Sequence, residues 1–336
     1  MSRSAHFALL LAAAIFGFGC DQPLGTETSD PLRSAAGEGS SESEGGSATN
    51  PGDPVRLVLE LSALELDSRE VLEVTVWAED KAGTLVEMSE SCDFDSSDPE
   101  VLRFYEPALG QPLTAGDVWV DVSCAGLVVS EAVRVSLAPA RGGDLVFNEV
   151  LADGRADGDP NGDGTLDGEE DEFVEIVNAA DVTVDLSGVS LVEEDWPFIP
   201  RHVFPQGTYL RAGEALVLFG GGDPGFLEAE NTQFAVAQTS DPGVDYGLAL
   251  DDDEDSLHLL AAADGRPIAS VLWGLVGSGE VVEAVRDASL VLAPEVYGSD
   301  YAVHTAATGS IGASSPGTHA DGSSFSGPDL IYSGQD

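Results

Sequence analysis

The sequence predicts an all-β protein, with two β-sandwich domains in tandem after a signal peptide and a disordered linker. Short apolar runs recur from residue 54 to residue 320, and turn-forming residues separate them. Residues 20–53, in contrast, are mostly Gly, Ser, Glu, Thr and Pro, and cannot repay the entropy of ordering. The predicted parts are a signal peptide at 1–19, a linker at 20–53, sandwiches at 54–139 and 143–320, and a disordered tail at 321–336.

The N-terminus has the layout of a secretory signal. Arg3 precedes an apolar segment from Phe7 to Phe18, which is too short to span a bilayer and leads into Gly19 and Cys20. Gly19, Cys20 and the polar tract after them resemble the lipobox of bacterial lipoproteins. That resemblance implies an exported, membrane-anchored protein, in the outer membrane and periplasm or at the cell surface, with a lipid on Cys20. The alternative is an ordinary secretion signal, with Cys20 removed or left as a free thiol.

The first sandwich is predicted from alternating apolar runs. Residues 96–105 (SSDPEVLRFY), residues 113–124 (LTAGDVWVDVSC) and a final valine-rich run resemble, in that order, bacterial immunoglobulin-like domains of surface adhesins. The resemblance implies a spacer or an adhesive module. The predicted strands lie at 55–61, 71–77, 101–105, 118–124 and 128–137.

Three cysteines are an odd number for an exported chain, unless one is used elsewhere. With Cys20 lipidated, Cys92 and Cys124 remain as a pair. In an oxidising compartment they would form one disulfide, which stabilises a small β domain by about 3 kcal/mol. Two buried free thiols are the alternative.

The charge of the chain restricts its partners. The chain has 61 acidic residues, 13 Lys and Arg residues and a net charge of -48, with Lys81 its single lysine. Nucleic acid and anionic lipid would be repelled, because affinity for phosphate comes mainly from Lys and Arg. Cations are the natural counterparts, although most of these carboxylates are expected to form a solvating coat, suited to a saline habitat.

A calcium loop is predicted in the stretch DPNGDGTLDGEE, from Asp159 to Glu170. Its oxygen-bearing residues match a twelve-residue loop at positions 1, 3, 5, 7, 9 and 12, and Gly164 takes the sharp turn at position 6. Residues 171–178 (DEFVEIVN) then predict a buried strand, so the loop belongs to a sheet and not to a helix pair. The alternative is a solvated acidic turn. The predicted Ca²⁺ ligands are Asp159, Asn161, Asp163, the carbonyl of Thr165, Asp167 and Glu170, with Asp157 as a substitute.

The second half of the chain resembles the lamin tail domain family. The motifs stand in the family's order over about 143–320: LVFNEV (145–150), the acidic glycine loop, 171–178, VDLSG (184–188), 202–219, 248–260, 268–274 and Ser315-Pro316-Gly317. The family resemblance implies an immunoglobulin-like sandwich. In bacteria it is usually a module of exported proteins, often joined to hydrolase or nuclease domains, and no such partner domain is recognisable in this sequence.

The sequence gives little support to catalysis. His202, His258, His304 and His319 are scattered, and neither HExxH nor GxSxG occurs. Gly220-Gly221-Gly222 has no lysine nearby and predicts a turn instead of a phosphate-binding loop. Asp251 to Asp255 predict a solvated hairpin tip between strands at 248–250 and 257–260; the alternative there is a second cation site.

These observations predict a non-catalytic, lipid-anchored envelope or cell-surface protein with a Ca²⁺-stabilised second sandwich. It would act as a binding, adhesion or structural module toward an envelope protein or polysaccharide, without nucleic acid. The alternative is an accessory or catalytic part of an extracellular hydrolase or phosphoesterase that uses the metal loop. Ligand identity and oligomeric state do not follow from the sequence.

Overall fold

The computed structural model describes residues 53–193, 200–238, 247–274 and 288–327. The predicted signal peptide, Cys20, the linker up to residue 52 and the last nine residues lie outside this part. The described residues form strands and three short 3-10 segments, without an α-helix, so the all-β prediction is confirmed. Within the described ranges, no helix is both long enough and apolar enough to cross a bilayer. The 3-10 segments are Ser89–Ser91, Pro224–Phe226 and His304–Ala306.

The first nine strands form two facing sheets. One sheet has the order β1-β3-β7-β6, with β4 beside β3, and the other has the order β2-β9-β8-β5. Alternate valines of β3, β8 and β9 face one shared core, which explains the period of two in the sequence. The strands are β1 Arg56–Leu61, β2 Glu65–Asp67, β3 Leu72–Glu79, β4 Leu85–Glu87, β5 Asp93–Ser96, β6 Leu102–Glu106, β7 Leu109–Pro112, β8 Gly116–Cys124 and β9 Leu127–Ser136.

A disulfide joins Cys92 and Cys124 inside this first core, and their Cα atoms are 4.7 Å apart. Cys92 lies just before β5, and Cys124 ends β8. Because β5 and β8 are neighbours in one sheet, the bond closes a loop of the chain without bridging distant elements.

The remaining strands build three further sheets. Six strands follow the order β18-β17-β12-β11-β21-β22, four follow β15-β14-β19-β20, and a small sheet has the order β10-β13-β16. The strands are β10 Ala138–Pro139, β11 Leu145–Leu151, β12 Phe173–Asn178, β13 Val184–Asp185, β14 Ser190–Glu193, β15 Pro200–Val203, β16 Tyr209–Leu210, β17 Ala215–Phe219, β18 Thr232–Val236, β19 Asp255–Leu260, β20 Pro267–Trp273, β21 Leu290–Leu292 and β22 Tyr301–Val303.

The central strands β11, β12 and β17 are buried on both faces. Val174 and Ile176 of β12 pack into the main core against the four-stranded sheet. Phe173 lies in a smaller cluster on the opposite face, with Phe219 and Leu151. Burial on both faces explains why these strands are almost continuously apolar instead of alternating.

Side-chain hydrogen bonds connect the two groups of strands, which belong to one compact unit. The Ser68 hydroxyl donates to the carbonyl of Thr183 at 2.6 Å, and the Thr183 hydroxyl donates to the carbonyl of Leu113 at 2.6 Å. Arg69 forms a 2.5 Å ion pair with Asp144. These contacts hold the segment around residues 139–143 in place. The proposed domain boundary at this segment stays a prediction.

The predicted hairpin around Asp251–Asp255 is wrong, because residues 248–250 are not a strand. The backbone N–H of Leu250 donates to the Glu172 carboxylate at 3.1 Å, and Ala249 has φ +50°, so this segment turns away from a ladder. The strand after it, β19, pairs instead with β14 and β20.

The predicted tail also differs from the structure at its beginning. Phe325 is buried, and its carbonyl accepts a 2.7 Å hydrogen bond from the Asn231 side chain. The sequence suggested disorder from residue 321 because Gly and Ser dominate the segment, but this single aromatic residue attaches its first part to the fold.

Candidate functional site: the acidic loop

The acidic loop occupies residues 152–172, between the antiparallel central strands β11 and β12. It lies beside the smaller apolar cluster, to which it contributes Ala156. A long loop between two buried, adjacent strands is fixed at both ends, so its polar residues are presented from a rigid base.

Within the loop, short acidic and amide side chains accept hydrogen bonds from backbone N–H groups a few residues further along the chain. The Asp159 carboxylate accepts from Gly164 at 2.8 Å, Asn161 accepts from the amide of Asp163 at 3.0 Å, and Asp163 accepts from that of Thr165 at 2.7 Å. The second and third contacts are local turns typical of Asp and Asn, whereas the first reaches across the loop. Each uses one side-chain oxygen, and the second carboxylate oxygens of Asp159 and Asp163 are not needed for them.

The last predicted ligands are arranged differently from the template. Asp167 accepts hydrogen bonds from the backbone of Glu169 at 3.0 Å and of Glu170 at 3.3 Å, and these bonds lower the pKa of its carboxyl. Glu170 itself is exposed. The substitute ligand Asp157 is engaged elsewhere, since it accepts a 2.5 Å hydrogen bond from the Ser314 hydroxyl.

A residue outside the predicted ligand set, Asp171, lies near the end of the loop and has no exposed surface. One of its carboxylate oxygens accepts the backbone N–H of Asp167 at 2.8 Å. The other, Oδ1, is buried and has no donor in good hydrogen-bond geometry among the described residues, although the backbone of Asn161 lies close enough to lower the pKa of the carboxyl slightly. Burial raises the pKa of Asp171 to about 6, and the negative charges of Asp159 and Asp163 contribute in the same direction.

The glycines 220–222 lie directly against this loop. The amide of Gly220 donates to the carbonyl of Glu172 at 2.7 Å, and that of Gly221 to the carbonyl of Glu170 at 3.0 Å. A Cβ on Gly222 would come within 2.7 Å of an Asp163 carboxylate oxygen and even closer to the Asn161 amide. The glycine run therefore allows the loop and the end of β17 to approach each other, which is a packing role.

The structure does not form a closed cage of carboxylates. Among the residues it describes, no three His, Cys, Asp or Glu side chains converge closely enough to hold a metal ion. Asn161 and Asp171 are completely buried and Asp163 is half-buried, whereas both Asp159 and Glu170 are exposed. A cation would need the carboxylates of Asp159 and Asp163 to turn inward from their present positions.

A second polar cluster, which the sequence analysis missed, lies inside the six-stranded sheet. Glu149 of β11 and Glu175 of β12 are opposite each other in the ladder, and both are completely buried. Glu149 accepts from the amide of Ser315 at 3.0 Å and from its hydroxyl at 2.7 Å. Glu175 accepts from Asn148 at 2.8 Å and from the amide of Gly317 at 2.7 Å.

This cluster attaches the segment around residues 315–317 to the central strands. Burial raises the pKa of Glu149 and of Glu175, and the charge of Glu149 adds to the effect on Glu175. The available signal in the sequence was an acidic residue inside each of two otherwise apolar runs, FNEV and VEIV.

The same cluster contains a serine, a histidine and a glutamate, but not in a hydrolytic arrangement. The Ser315 hydroxyl lies 3.0 Å from His304 Nε2 and 2.7 Å from the Glu149 carboxylate, so the serine stands between the other two. In a hydrolytic triad the histidine is the central member. All three side chains are buried, which leaves the hydroxyl without access for a substrate.

Part of this chain matches a known protein family. Residues 138–274 match the family model described as Lamin Tail Domain. No curated protein matches the sequence. The predicted family resemblance is therefore confirmed, over the stretch that contains the acidic loop and the central strands.

Solved structures show only distant likeness. A DUF4876 family protein from Bacteroides thetaiotaomicron VPI-5482 is 12% identical, with a TM-score of 0.26, and the match covers 62% of this chain and 57% of that chain. Domains 4 and 5 of the S-layer protein SbsC are 12% identical, with a TM-score of 0.23, over 65% of this chain and 97% of that chain. At these TM-scores neither likeness bears on function. The family match, together with the all-β fold, shows that residues 138–274 of this chain are similar to the lamin tail domain family.

Proposed function

We propose that this protein is a non-catalytic structural or binding module of the bacterial envelope, exported and held at a membrane by a lipid on Cys20. Its lamin tail domain is stabilised by Ca²⁺ in the acidic loop, and the module contacts an envelope protein or polysaccharide. The observation that carries the proposal is the position of the loop, which joins two buried central strands of the domain.

Charge and chemistry support a stabilising cation. The loop gathers acidic and amide oxygens, the ligands that Ca²⁺ prefers, and the net charge of -48 attracts cations to the surface. A ligand that binds only the folded state stabilises it by about 2.7 kcal/mol at a hundred times its Kd. In a compartment with millimolar Ca²⁺, even a weak site would stay filled.

The test of the calcium part is a thermal melt of the full chain with millimolar Ca²⁺ or with chelator, joined to calorimetric titration with Ca²⁺. We expect binding of Ca²⁺ and a higher melting temperature in its presence, because the ion would fix the loop and the two strands that it joins. An identical melt under both conditions, with no heat of binding, would remove calcium from the proposal.

The anchor is tested separately in cells by comparing the wild type with Cys20→Ser. We expect the wild type in the membrane fraction and the variant in the soluble exported fraction, because one thiol carries the lipid. A variant that stays with the membrane to the same extent would contradict lipid anchoring and would leave the calcium proposal untouched.

A further inference from the structure

One carboxylate near the end of the acidic loop, that of Asp171, is completely buried and only partly satisfied. Its Oδ1 has no donor in good hydrogen-bond geometry among the described residues, although the backbone of Asn161 acts on the carboxylate, whereas most buried polar atoms in proteins have a well-placed partner. Leaving a buried carboxylate oxygen unsatisfied is costly, and two further carboxylates, those of Asp159 and Asp163, act on it electrostatically. A hard cation bound among these oxygens would satisfy all three groups.

Glu170, which the twelve-residue template selects, is in a poorer position. Its side chain is exposed, as is that of Asp159, but its Cγ lies against Gly221, 2.7 Å from where a Cβ of that residue would stand. Its carbonyl accepts the amide of Gly221. The template assumes that a helix follows the loop, but here a strand follows, and the residue that enters the interior is the next one along the chain.

The glycine run closes the other side of the same space. Gly222 has φ +72°, and a Cβ there would strike the Asp163 carboxylate and the Asn161 amide. Asn161 is itself completely buried. Asn161 and Asp163 thus lie against backbone that carries no side chains, and the exposed Asp159 carboxylate would complete the set by turning inward.

We propose that Asp171, and not Glu170, supplies the carboxylate that completes the Ca²⁺ site, together with Asp159, Asn161 and Asp163. This inference rests on the proposed calcium-binding function and changes its ligand set. Asp167 is a positioning residue in this arrangement, because its backbone N–H holds the other oxygen of Asp171 at 2.8 Å.

The test uses the full chain and two matched variants, Asp171→Asn and Glu170→Gln, each of which removes one carboxylate at adjacent positions. Calorimetric titration with Ca²⁺ should show at least a tenfold loss of affinity for Asp171→Asn and less than a threefold change for Glu170→Gln. The opposite result, or equal losses in both variants, would overturn the assignment of Asp171 and leave the calcium proposal standing. No binding by the wild type would overturn both.

A second measurement separates a ligand from a merely structural residue. In chelator, Asp171→Asn should melt at the same temperature as the wild type or higher, because the amide keeps the hydrogen bond from Asp167 and removes a buried negative charge. In Ca²⁺, the order should reverse. A variant that melts lower than the wild type by the same amount under both conditions would show that Asp171 is structural and would overturn the proposal.

Discussion

The two groups of acidic side chains on β11, β12 and the loop between them differ in how the protein satisfies them. Glu149 and Glu175 lie within the strands, and each accepts hydrogen bonds at both carboxylate oxygens. Asp171 lies just before β12, also without exposed surface, and only one of its oxygens accepts a hydrogen bond of good geometry. The first pair is therefore part of the internal structure, whereas Asp171 keeps an oxygen that the Ca²⁺ ion proposed above would use.

The largest expected effect comes from the internal pair. Glu149→Ala should lower the free energy of unfolding by about 3 kcal/mol, because it leaves the buried amide of Ser315 without its acceptor and removes a completely buried side chain. Denaturant unfolding of the full chain measures this loss. The exposed Glu131→Ala on β9 is the control, with an expected change within about 0.5 kcal/mol. Equal losses in the two variants would contradict a structural role for the buried glutamate.

The next largest loss of stability is expected in the glycine run 220–222 that lies against the loop. It is measured by comparing two glycines with similar φ angles. Gly222 has φ +72° and Gly207 has φ +86°, but a Cβ on Gly207 would have open space around it. Each change to alanine should cost about 1 kcal/mol for the left-handed backbone. Gly222→Ala should lose about 1–3 kcal/mol more through overpacking.

Only Gly222→Ala should also lose the stabilisation by Ca²⁺, because its Cβ would displace Asp163. Thermal melts of both variants with Ca²⁺ and with chelator check this difference. If both variants kept the same response to Ca²⁺, the glycine run would not belong to the site.

A smaller loss of stability is expected from the contact between the loop and Ser314. Ser314→Ala removes the hydrogen bond to Asp157 and should cost about 1 kcal/mol, measured by denaturant unfolding. The affinity for Ca²⁺ should stay unchanged, since Asp157 is occupied by Ser314 and lies outside the proposed ligand set. The exposed Ser91→Ala serves as control. A clear loss of affinity in Ser314→Ala would return Asp157 to the candidate ligands.

The sequence predicted most of the strands. Alternating valines indicate a strand with one buried face, and continuously apolar runs indicate a strand that is buried on both faces. The strands β11 and β17 begin and end where the apolar runs do. The acidic loop was also located correctly between two strands. Its spacing, however, pointed to Glu170 and not to Asp171, since a template taken from a helical setting cannot show which residue turns inward before a strand.

The internal network could not be derived from the sequence, because its partners are far apart along the chain. Glu149 and Ser315 are separated by 166 residues. Residues 248–250 were predicted as a strand for a related reason. Their apolar pattern fits a strand, but a buried carboxylate from a distant segment, Glu172, takes the backbone N–H that a ladder would use. Such competition is decided by tertiary contacts and not by local preference.

The smallest expected effect is a pH dependence at the edge of the internal network, where Glu295 and His319 form a 2.8 Å pair. The hydrogen bond that His319 donates to the Glu295 carboxylate raises the pKa of His319 above its ordinary 6.5. Burial alone would raise the pKa of Glu295, but hydrogen bonds from His319, Asn148 and Ala320 outweigh it and lower the pKa below 4.5. The ion pair therefore contributes its full stabilisation between pH 4.5 and pH 6.5, the ordinary pKa values of the two groups.

Above pH 6.5 this contribution should fade as His319 loses its proton in the folded state, and below pH 4.5 it should fade as Glu295 gains one. His319→Gln keeps a hydrogen-bond donor without the charge, and we expect its loss of stability to be under about 1 kcal/mol, because the histidine is partly exposed. Denaturant unfolding of both proteins from about pH 4 to pH 9 measures the difference, with the ordinary His pKa as the reference point. The difference should be largest inside the window and should shrink on both sides. A constant difference across the whole range would mean that the histidine contributes through packing against Phe325 and not through its charge.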